Sequence, residues 1–257
     1  MNNYEKFKQL HHQEQALLLG NAWDVNTARL FEKKGFQAIG TSSSAIAQSL
    51  GYEDGENMSF GELLYMVGRI AKCISIPLSV DLETGYEANP VGIVQNIKYL
   101  YEHGVAGINL EDSDLKDQGK LSPIEQFSEK IAFIKRQLRA ENIDIFLNIR
   151  TDAFLLNQED ALQETLKRIK AYQDSGADGI FIPGIQKEED IRTVVAASAV
   201  PINVMCLPEL PTFETLNALG VKRLSMGGFM FRYVNNQFSN ILDQVSRESS
   251  FYPLFRN

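Results

Sequence analysis

The feature that most constrains this chain is a regular alternation of short apolar segments with longer amphipathic ones. Eight segments have the length and composition of buried β-strands, and helical periodicity fills the stretches between them. The predicted strands are residues 16–20, 38–41, 78–81, 106–111, 144–150, 178–183, 201–205 and 222–225. The predicted helices are residues 25–34, 60–73, 90–103, 123–140, 159–175, 187–197 and 211–219. This alternation over 257 residues predicts an α/β fold, a parallel (β/α)8 TIM barrel.

Glycine ends several of the predicted helices, at the junctions KKGFQAIG, EHGVAGIN, DSGADGIF and NALGVKRLS. A glycine just after a helix accepts the left-handed conformation that stops the helix and turns the chain into the next strand. No linker rich in Pro, Gly or Ser divides the chain, and its composition does not shift. We therefore expect residues 1–257 to form a single barrel domain.

The chain continues beyond the eighth predicted strand for longer than one covering helix requires. From about residue 227 it reads GGFMFRYVNNQFSNILDQVSRESSFYPLF, which is rich in aromatic side chains. This surplus apolar surface can pack on the barrel of the same chain or on a neighbouring subunit, and the sequence leaves both open. We expect a C-terminal helical extension that is used to form a homo-oligomer.

The charge balance narrows the partners of the protein. With 25 Lys and Arg residues against 33 Asp and Glu residues, a net charge of -8 and a pI near 5.0 argue against nucleic acid or an anionic membrane as partner. The N-terminus is too polar for a signal peptide, and no apolar run reaches the roughly 18 residues of a membrane span. Cys73 and Cys206 lie far apart without a CxxC motif, so neither a disulfide scaffold nor a zinc site is indicated. We expect a cytosolic protein that binds a small molecule.

Acidic residues follow the third and fourth predicted strands. Because the active site of such a barrel lies at the carboxyl ends of its strands, these residues would lie at its mouth. Strand alternation puts Asp81 and Glu83 on the same side, and the next strand supplies Glu111 and Asp112. Either a hard divalent cation such as Mg²⁺ or Mn²⁺, or structural arginine pairs, would relieve the repulsion between them. Gly85 slightly favours the cation, because glycine lets the backbone turn sharply over a ligand.

Hydroxyl groups and an arginine follow two other predicted strands. Ser42, Ser43 and Ser44 stand at a strand-to-helix turn, where they could hold a carboxylate or phosphate or only cap the helix. Arg150 could clamp a substrate carboxylate, pair with Glu111, or do both. No lysine lies at the carboxyl end of a predicted strand, so a Schiff-base aldolase is not indicated.

Several longer motifs occur in one order along the chain. They are GNAWDVNTARLFEKKGFQAIGTSSSAIAQSLGYEDGE, PLSVDLETGY, AGINLED, LNIRTDAF and GADGIFIPG. This succession resembles the isocitrate lyase/phosphoenolpyruvate mutase superfamily, and the similarity runs through most of the chain to Gly228. The pattern acidic-x-acidic-Thr-Gly-Tyr, followed by a strand that ends in Glu-Asp, is fairly specific to that superfamily.

The resemblance implies a barrel that binds one Mg²⁺ and a 2-oxo acid or related dicarboxylate, whose enolate the metal stabilises. The residues that it implies around the metal are Asp81 in direct contact, and Asp54, Glu83 and Glu111 through bound water. The residues that it implies in substrate binding are Ser42, Ser43, Ser44, Asp81, Arg150 and Asn203. Glu83 departs from the pattern in type, since many members have Asp there.

The chain departs further from the superfamily in the loop after the fourth predicted strand. Lyases of the isocitrate and methylisocitrate type carry a Lys-Lys/Arg-Cys-Gly-His loop there, and phosphonate-processing members carry a Lys-Thr-Asn-Ser stretch. This chain has DSDLKDQGKLSP, which lacks Cys, His and the Asn-Ser pair. Lys116 or Lys120 could supply an acid, or the loop 112–121 could be only a lid that closes over the substrate.

Three functions stay open at this point. The first is a Mg²⁺-dependent carbon–carbon lyase or decarboxylase that acts on a 2-oxo or 2-hydroxy carboxylic or dicarboxylic acid. The second is a mutase or hydrolase of carbon–phosphorus bonds, which the altered loop argues against. The third is a carboxylate-binding protein without turnover. We expect the first, an enzyme with a small-molecule substrate.

Overall fold

Eight parallel strands form a closed barrel in the computed structural model. The structure describes residues 2–113 and 120–256. The strands are β1 (Leu17–Ala22), β2 (Ile39–Thr41), β3 (Leu78–Asp81), β4 (Gly107–Glu111), β5 (Phe146–Arg150), β6 (Gly179–Ile182), β7 (Ile202–Met205) and β8 (Arg223–Ser225). They pair in chain order and β8 returns to β1, so the predicted (β/α)8 barrel is confirmed.

Helices connect these strands around the outside of the barrel. The helices of the described chain are α1 (Asn3–Leu10), α2 (Val25–Lys33), α3 (Ser43–Ser49), α4 (Phe60–Ala71), α5 (Pro90–Glu102), α6 (Ile124–Ala140), α7 (Ala161–Asp174), α8 (Glu188–Ala197), α9 (Phe213–Leu219) and α10 (Phe229–Glu248). Each predicted helix is present, and its ends lie within about two residues of the prediction, which is the usual uncertainty of a helix boundary.

Local sequence signals explain where these helices begin and end. Asp24 caps α2 by accepting a hydrogen bond from the backbone N–H of Thr27 at 2.7 Å, and Pro90 occupies the first turn of α5. Gly220 ends α9 in the left-handed conformation, with φ of 90°, as the glycine junctions predict. Because every strand pairs in parallel with its neighbours, the carboxyl ends of all the strands lie at one rim of the barrel.

The opposite rim is closed by α1, a helix that the sequence analysis did not predict. Its N-cap residue Asn2 accepts from the backbone N–H of Glu5 at 2.8 Å, which completes a capping box. Phe7 is fully buried and meets Phe146 of β5 edge to face, with 5.6 Å between the ring centroids. His11 stacks on the same ring at 4.4 Å. The polar N-terminal segment therefore plugs the barrel.

Polar side chains occupy the middle of the barrel, between this plug and the carboxyl rim. Asn109 Oδ1 accepts hydrogen bonds from Asn148 Nδ2 at 2.9 Å and from Arg223 Nη2 at 3.3 Å. Burial lowers the pKa of Arg223 to about 9, although the nearby Asp81 opposes the shift. Asn109 thus joins the interior layer to the residues at the mouth.

The C-terminal helix α10 packs on the barrel core through Met230 and Phe231 near its start, and the expected C-terminal helical extension is present. None of its residues is buried. Its exposed apolar side chains are Tyr233, Val234, Phe238 and Leu242. Between α2 and the start of α10 lies an apolar groove of about 510 Å³, lined in part by Trp23, Leu30, Phe31, Met226 and Met230. Within residues 2–113 and 120–256, no helix combines the length and the apolar character needed to cross a membrane.

Candidate active site

A cavity of about 290 Å³ lies at the carboxyl ends of the strands. Its polar lining residues are Asn21, Ser42, Ser43, Ser44, Asp54, Asp81, Asn109, Arg150, Ser225 and Arg232. Its apolar lining residues are Leu155, Phe181, Pro183, Met205, Leu207 and Phe229. The cavity combines charged and hydrogen-bonding groups with an apolar surface, which suits a small anionic molecule with a carbon skeleton.

Asp81, the last residue of β3, is held in this cavity by its neighbours. Ser43 Oγ donates a hydrogen bond to Asp81 Oδ2 at 2.9 Å, and Asn109 Nδ2 approaches Asp81 Oδ1 at 3.4 Å. The backbone N–H of Asp81 donates to Thr41 Oγ1 at 2.9 Å. Ser43 and Asn109 therefore orient this carboxylate before any ligand binds, and Thr41 of β2 holds the backbone beneath it.

The turn after β3 contains three residues in the left-handed region. The φ angles are 50° at Glu83, 116° at Gly85 and 59° at Tyr86. Each non-glycine residue there costs on the order of 1–3 kcal/mol. Glu56 offsets this cost, because its Oε1 accepts hydrogen bonds of 2.7 to 2.9 Å from Thr84 N, Thr84 Oγ1 and Tyr86 N. Residue 85 requires glycine, because its φ is 116° and a Cβ atom there would lie 2.7 Å from a side chain of α5.

Glu83 is buried beside Asp81. It accepts hydrogen bonds of 2.8 Å from the Tyr86 hydroxyl and from the backbone N–H of Glu56. Burial, and then the negative charge of Asp81, raises the pKa of Glu83 to about 8. The same two causes, in the same order, raise the pKa of Asp54. Negative charge is thus in excess here, and a cation held between these carboxyl groups would favour their ionised forms.

Glu111 and Arg150 form an ion pair across β4 and β5. Arg150 Nη1 lies 2.8 Å from Glu111 Oε2, so the predicted pairing of these two residues is present. Arg150 also donates through Nε and Nη2 to the two carboxylate oxygens of Asp152, at 2.6 and 2.8 Å. Burial raises the pKa of Glu111 well above its usual range, although Arg150 opposes the shift. Arg150 still lines the cavity, where its remaining N–H groups can reach a ligand.

Asp112 binds the backbone of Asp152, the second partner of Arg150. It is completely buried and accepts hydrogen bonds from Arg168 Nη1 at 2.8 Å and from the Tyr172 hydroxyl at 2.7 Å. Its other oxygen accepts from the backbone N–H of Asp152 at 3.1 Å. Of the two acids at the carboxyl end of β4, Glu111 therefore pairs with Arg150 at the mouth, and Asp112 holds Asp152, the other partner of Arg150, in place.

The donor groups of the cavity fit a hard divalent cation. Asp81 and Asp54 offer carboxylate oxygens, which are ligands that Mg²⁺ and Mn²⁺ prefer. In the part of the chain that the structure describes, no three His, Cys, Asp or Glu side chains come close enough to hold a metal ion together. The arrangement expected from the sequence, with direct contact from Asp81 and water-mediated contacts from Asp54, Glu83 and Glu111, does not require such a group and stays a prediction.

The turn of Ser42, Ser43 and Ser44 caps α3 and also lines the cavity, where its hydroxyls could hold a carboxylate. Ser42 is the N-cap residue of α3, and its Oγ accepts from the backbone N–H of Ala45 at 3.3 Å. Ser42 Oγ also lies 3.2 Å from Ser44 Oγ. Since Ser42, Ser43 and Ser44 all line the cavity, capping does not remove them from the reach of a ligand. Their contact with a substrate carboxylate stays a prediction.

Two other candidate residues, Asn203 and Lys120, do not line the cavity, and a third candidate lies outside the described residues. Asn203 is 1% exposed and accepts from Ser225 Oγ at 3.3 Å, and Ser225 rather than Asn203 lines the cavity. Lys120 lines a separate groove with Gln158, beside the start of α7. Lys116 lies outside the described residues. An acid role for either lysine, and substrate contact by Asn203, therefore stay predictions without geometric support.

The loop 112–121 is held at both of its ends. Ser113 and Leu121 form an isolated antiparallel bridge, and Ser113 Oγ donates to Asp152 Oδ2 at 2.6 Å. The backbone N–H of Ser122 donates to the carbonyl oxygen of Asp112 at 2.8 Å. The base of this loop is thus tied to the residues that position Arg150, and its closure over the substrate stays a prediction.

Sequence reasoning missed three residues of the site. Asn21 Oδ1 accepts from the backbone N–H groups of Met226 and Gly227, at 2.8 and 3.0 Å, and joins β1 to the loop after β8. Glu56 holds the turn after β3, as described above. Arg232 reaches the cavity from α10, an element that the sequence analysis did not connect with the site. The two glycines before this helix were the signal that the chain passes close to the site there.

The barrel and its mouth define the class of protein. A closed (β/α)8 barrel with carboxylates, an arginine and hydroxyls gathered at the carboxyl ends of its strands is the architecture of a TIM-barrel enzyme. Residues 7–246 match the profile of the phosphoenolpyruvate phosphomutase family, and this chain belongs to that family. The resemblance to the isocitrate lyase/phosphoenolpyruvate mutase superfamily is thereby confirmed.

Relatives in the superfamily carry out several reactions. The chain is 34% identical over 221 residues to an uncharacterized protein of Mycobacterium tuberculosis. The aligned region covers 86% of this chain and 81% of that protein. It is 29% identical to the oxaloacetate decarboxylase of Paraburkholderia xenovorans, over 79% of this chain and 69% of that enzyme. Other relatives are a 2-methylisocitrate lyase of Bacillus subtilis and a phosphoenolpyruvate phosphomutase of Tetrahymena pyriformis. The superfamily thus includes carbon–carbon lyases, decarboxylases and mutases.

Solved structures agree with this assignment. A Burkholderia cenocepacia protein that is classed provisionally as a phosphonomutase superposes with a TM-score of 0.89 and is 34% identical, covering 94% of this chain and 99% of that one. A phosphonopyruvate hydrolase in complex with oxalate and Mg²⁺ superposes with a TM-score of 0.86 at 25% identity, covering 97% of this chain and 89% of that one. A bound divalent metal therefore occurs in this superfamily.

Proposed function

We propose that this protein is a divalent-metal-dependent enzyme that cleaves a carbon–carbon bond next to a 2-oxo or 2-hydroxy carboxylic acid, as a lyase or decarboxylase. The observation that carries the proposal is the position of Asp81, which Ser43 and Asn109 orient in a cavity that Arg150 also lines. Similarity to an oxaloacetate decarboxylase and a 2-methylisocitrate lyase supports the type of reaction.

Charge at the mouth explains why a cation and an arginine are both needed. An anionic substrate that approaches Asp81, Asp54, Glu83 and Glu111 would be repelled unless positive charge compensates these groups. A divalent cation bound beside Asp81, Mg²⁺ or Mn²⁺, would supply concentrated positive charge next to the substrate oxygens where negative charge develops. Arg150 supplies the second positive charge.

The protein groups then act mainly by binding and orientation. Arg150 donates its remaining N–H groups to the substrate carboxylate, and the Ser42 hydroxyl donates to the same carboxylate. Ser43 holds the Asp81 carboxylate in the cavity, where it would bind the cation. The apolar lining from Phe181 and Met205 limits the access of water, which strengthens each of these electrostatic contacts.

We also propose that the protein is a homo-oligomer and that α10 forms part of the contact between subunits. A helix with no buried residue and with Val234, Phe238 and Leu242 exposed along it would be stabilised by a partner surface. The apolar groove between α2 and the start of α10 offers such a surface, because Leu30 and Phe31 line it. An α10 helix from a second copy has the apolar side chains to fill it.

The reaction is tested by incubating the purified protein with oxaloacetate, substituted malates and phosphonopyruvate, with Mg²⁺ and with EDTA, while NMR follows product formation. We expect Mg²⁺-dependent cleavage of a carbon–carbon bond that Asp81→Ala abolishes. Asp174→Ala, at the exposed end of α7, is the matched control and should retain full activity. Lys116→Met and Lys120→Met, in the same assay, test whether either lysine supplies the acid.

Two other results would replace this proposal. Turnover of phosphonopyruvate alone would make the protein a mutase or hydrolase of carbon–phosphorus bonds. Metal-dependent binding of oxalate without turnover of any of these compounds would favour a carboxylate-binding protein.

A further inference from the structure

The orientation of the Arg150 guanidinium depends on Asp152. Nε and Nη2 of Arg150 donate to the two carboxylate oxygens of Asp152 at 2.6 and 2.8 Å, the paired arrangement that fixes a guanidinium relative to a carboxylate. Ser113 Oγ adds a third donor, to Asp152 Oδ2 at 2.6 Å. A shift of this carboxylate would therefore turn the N–H groups that Arg150 presents to the cavity.

Asp152 is in turn held by Asp112, the residue that follows β4. The backbone N–H of Asp152 donates to Asp112 Oδ1 at 3.1 Å, and the backbone N–H of Asp112 donates to the carbonyl oxygen of Arg150 at 3.2 Å. Asp112 is completely buried and does not line the cavity. Its carboxylate therefore acts on Arg150 through the protein and not through a substrate.

Two side chains of α7 fix the other oxygen of Asp112. Arg168 Nη1 donates to Asp112 Oδ2 at 2.8 Å, and the Tyr172 hydroxyl donates to the same atom at 2.7 Å. Glu164, one turn earlier in the helix, accepts from Arg168 Nε at 2.9 Å. A connected series of contacts therefore runs from α7, on the outside of the barrel, to the guanidinium at its mouth.

Stability by itself does not account for this arrangement. Removing the charges of Arg168 and Asp112 from water is costly, and apolar side chains of similar size often give equal or greater stability in such a place. The buried charges add a defined geometry instead, because each oxygen of Asp112 has its own donors. The residue that receives this geometry is Asp152, and through it Arg150.

We propose that Arg168 and Tyr172 are positioning residues for Arg150. Through Asp112 and Asp152, they hold its guanidinium in the orientation that binds the substrate carboxylate. This inference rests on the proposed function, since it assumes that Arg150 contacts that carboxylate. Neither residue of α7 lines the cavity, so a change in either should alter the affinity for a carboxylate and not the affinity for Mg²⁺.

Tyr172→Phe tests this inference with the smallest change, because it removes one hydroxyl and keeps the ring, which meets Phe127 edge to face at 5.2 Å. Isothermal titration calorimetry measures the binding of Mg²⁺ alone and of oxalate in the presence of Mg²⁺. We expect oxalate to bind about three- to tenfold more weakly, the usual contribution of one hydrogen bond, and Mg²⁺ binding to stay unchanged. Arg168→Lys should also weaken oxalate binding, because an ammonium group cannot hold Glu164 and Asp112 in the same geometry.

Two further variants separate positioning from a loss of stability. Ile169→Val, at a buried position of the same helix, should lower the free energy of unfolding without changing oxalate affinity, because its side chain has no polar group to contact Asp112. When Tyr172→Phe is added to Arg150→Lys, oxalate affinity should not fall again, because an ammonium group has no plane for Asp152 to orient.

The outcomes distinguish this inference from the proposed function. Unchanged oxalate affinity in Tyr172→Phe or Arg168→Lys overturns the role of that residue. An equal further loss of affinity when Tyr172→Phe is added to Arg150→Lys overturns the route through Arg150. The proposed function fails by a different measurement, the lack of Mg²⁺-dependent cleavage of a carbon–carbon bond in oxaloacetate and substituted malates.

Discussion

Glu111 and Arg150 occupy the same register position on β4 and β5, and their side chains form a 2.8 Å ion pair at the mouth of the barrel. The pair is nearly buried, so the two charges depend on each other: removing either one would leave an uncompensated charge in a poorly solvated place. Asp152 holds the other edge of the same guanidinium. Arg150 is therefore both a structural residue and a candidate ligand for substrate.

Arg150→Lys should weaken oxalate binding by about 1.5–3 kcal/mol, because an ammonium group cannot contact the ligand and both carboxylates with the geometry of a guanidinium. The affinity for Mg²⁺ should change little. We also expect a lower free energy of unfolding, because Glu111 or Asp152 loses a donor. Calorimetry and urea unfolding measure the two effects. Arg192→Lys, in an exposed ion pair of α8, is the control. Lower stability with unchanged oxalate affinity would leave Arg150 with a structural role only.

Asp81→Ala should abolish the rise in melting temperature that oxalate and Mg²⁺ together produce in the unmodified protein. Oxalate mimics the enolate of a 2-oxo acid, and it should bind only where a cation is held beside it. Differential scanning fluorimetry with each component alone and with both measures this effect. Asp174→Ala serves again as the control. Undiminished stabilisation of the Asp81 variant would refute the metal assignment.

The acid stability of the protein should depend on His11. Burial, and then the charge of Arg223, lowers the pKa of His11 to about 3, compared with about 6.5 in the unfolded chain. The unfolded state therefore binds more protons between these values, and the stability that is present above pH 6.5 is lost as the pH falls. Between pH 6 and pH 5, the free energy of unfolding should fall by about 1 kcal/mol more in the unmodified protein than in His11→Gln.

Denaturant unfolding at several pH values measures this difference. His12→Gln is the matched control, because His12 is the next residue and is exposed. Its pH dependence should follow that of the unmodified protein. If His11→Gln shows the same pH dependence as well, protonation of His11 does not contribute to acid unfolding.

The oligomer is expected to depend on the apolar side chains of α10. Light scattering after size-exclusion chromatography should give a multiple of the 28.9 kDa chain mass. Phe238→Ser should lower the association constant, because the exposed ring would no longer be buried by a partner. Asn236→Ser, exposed on the same helix, should leave the mass unchanged. A monomer in the unmodified protein would contradict the proposed contact.

Much of the fold follows from local sequence patterns. The strands are short apolar runs, and residues such as Asp24 and Gly220 mark the ends of helices, because capping and left-handed turns need only neighbouring residues. The position of Asp81 at the end of β3 was predictable for the same reason. In contrast, α1 was not predicted, because its few apolar residues stand in a short polar segment, and Phe7 is buried by residues far along the chain such as Phe146 of β5.

The sequence by itself determined the barrel, the position of Asp81, Glu111 and Arg150 at the ends of strands, and the family of the protein. Only the tertiary structure decided how the guanidinium of Arg150 is shared between Glu111 and Asp152, and that Arg232 enters the same cavity from α10. The physical reason is that strand ends follow from local periodicity, whereas hydrogen-bond partners and cavity walls depend on distances between residues far apart in the chain.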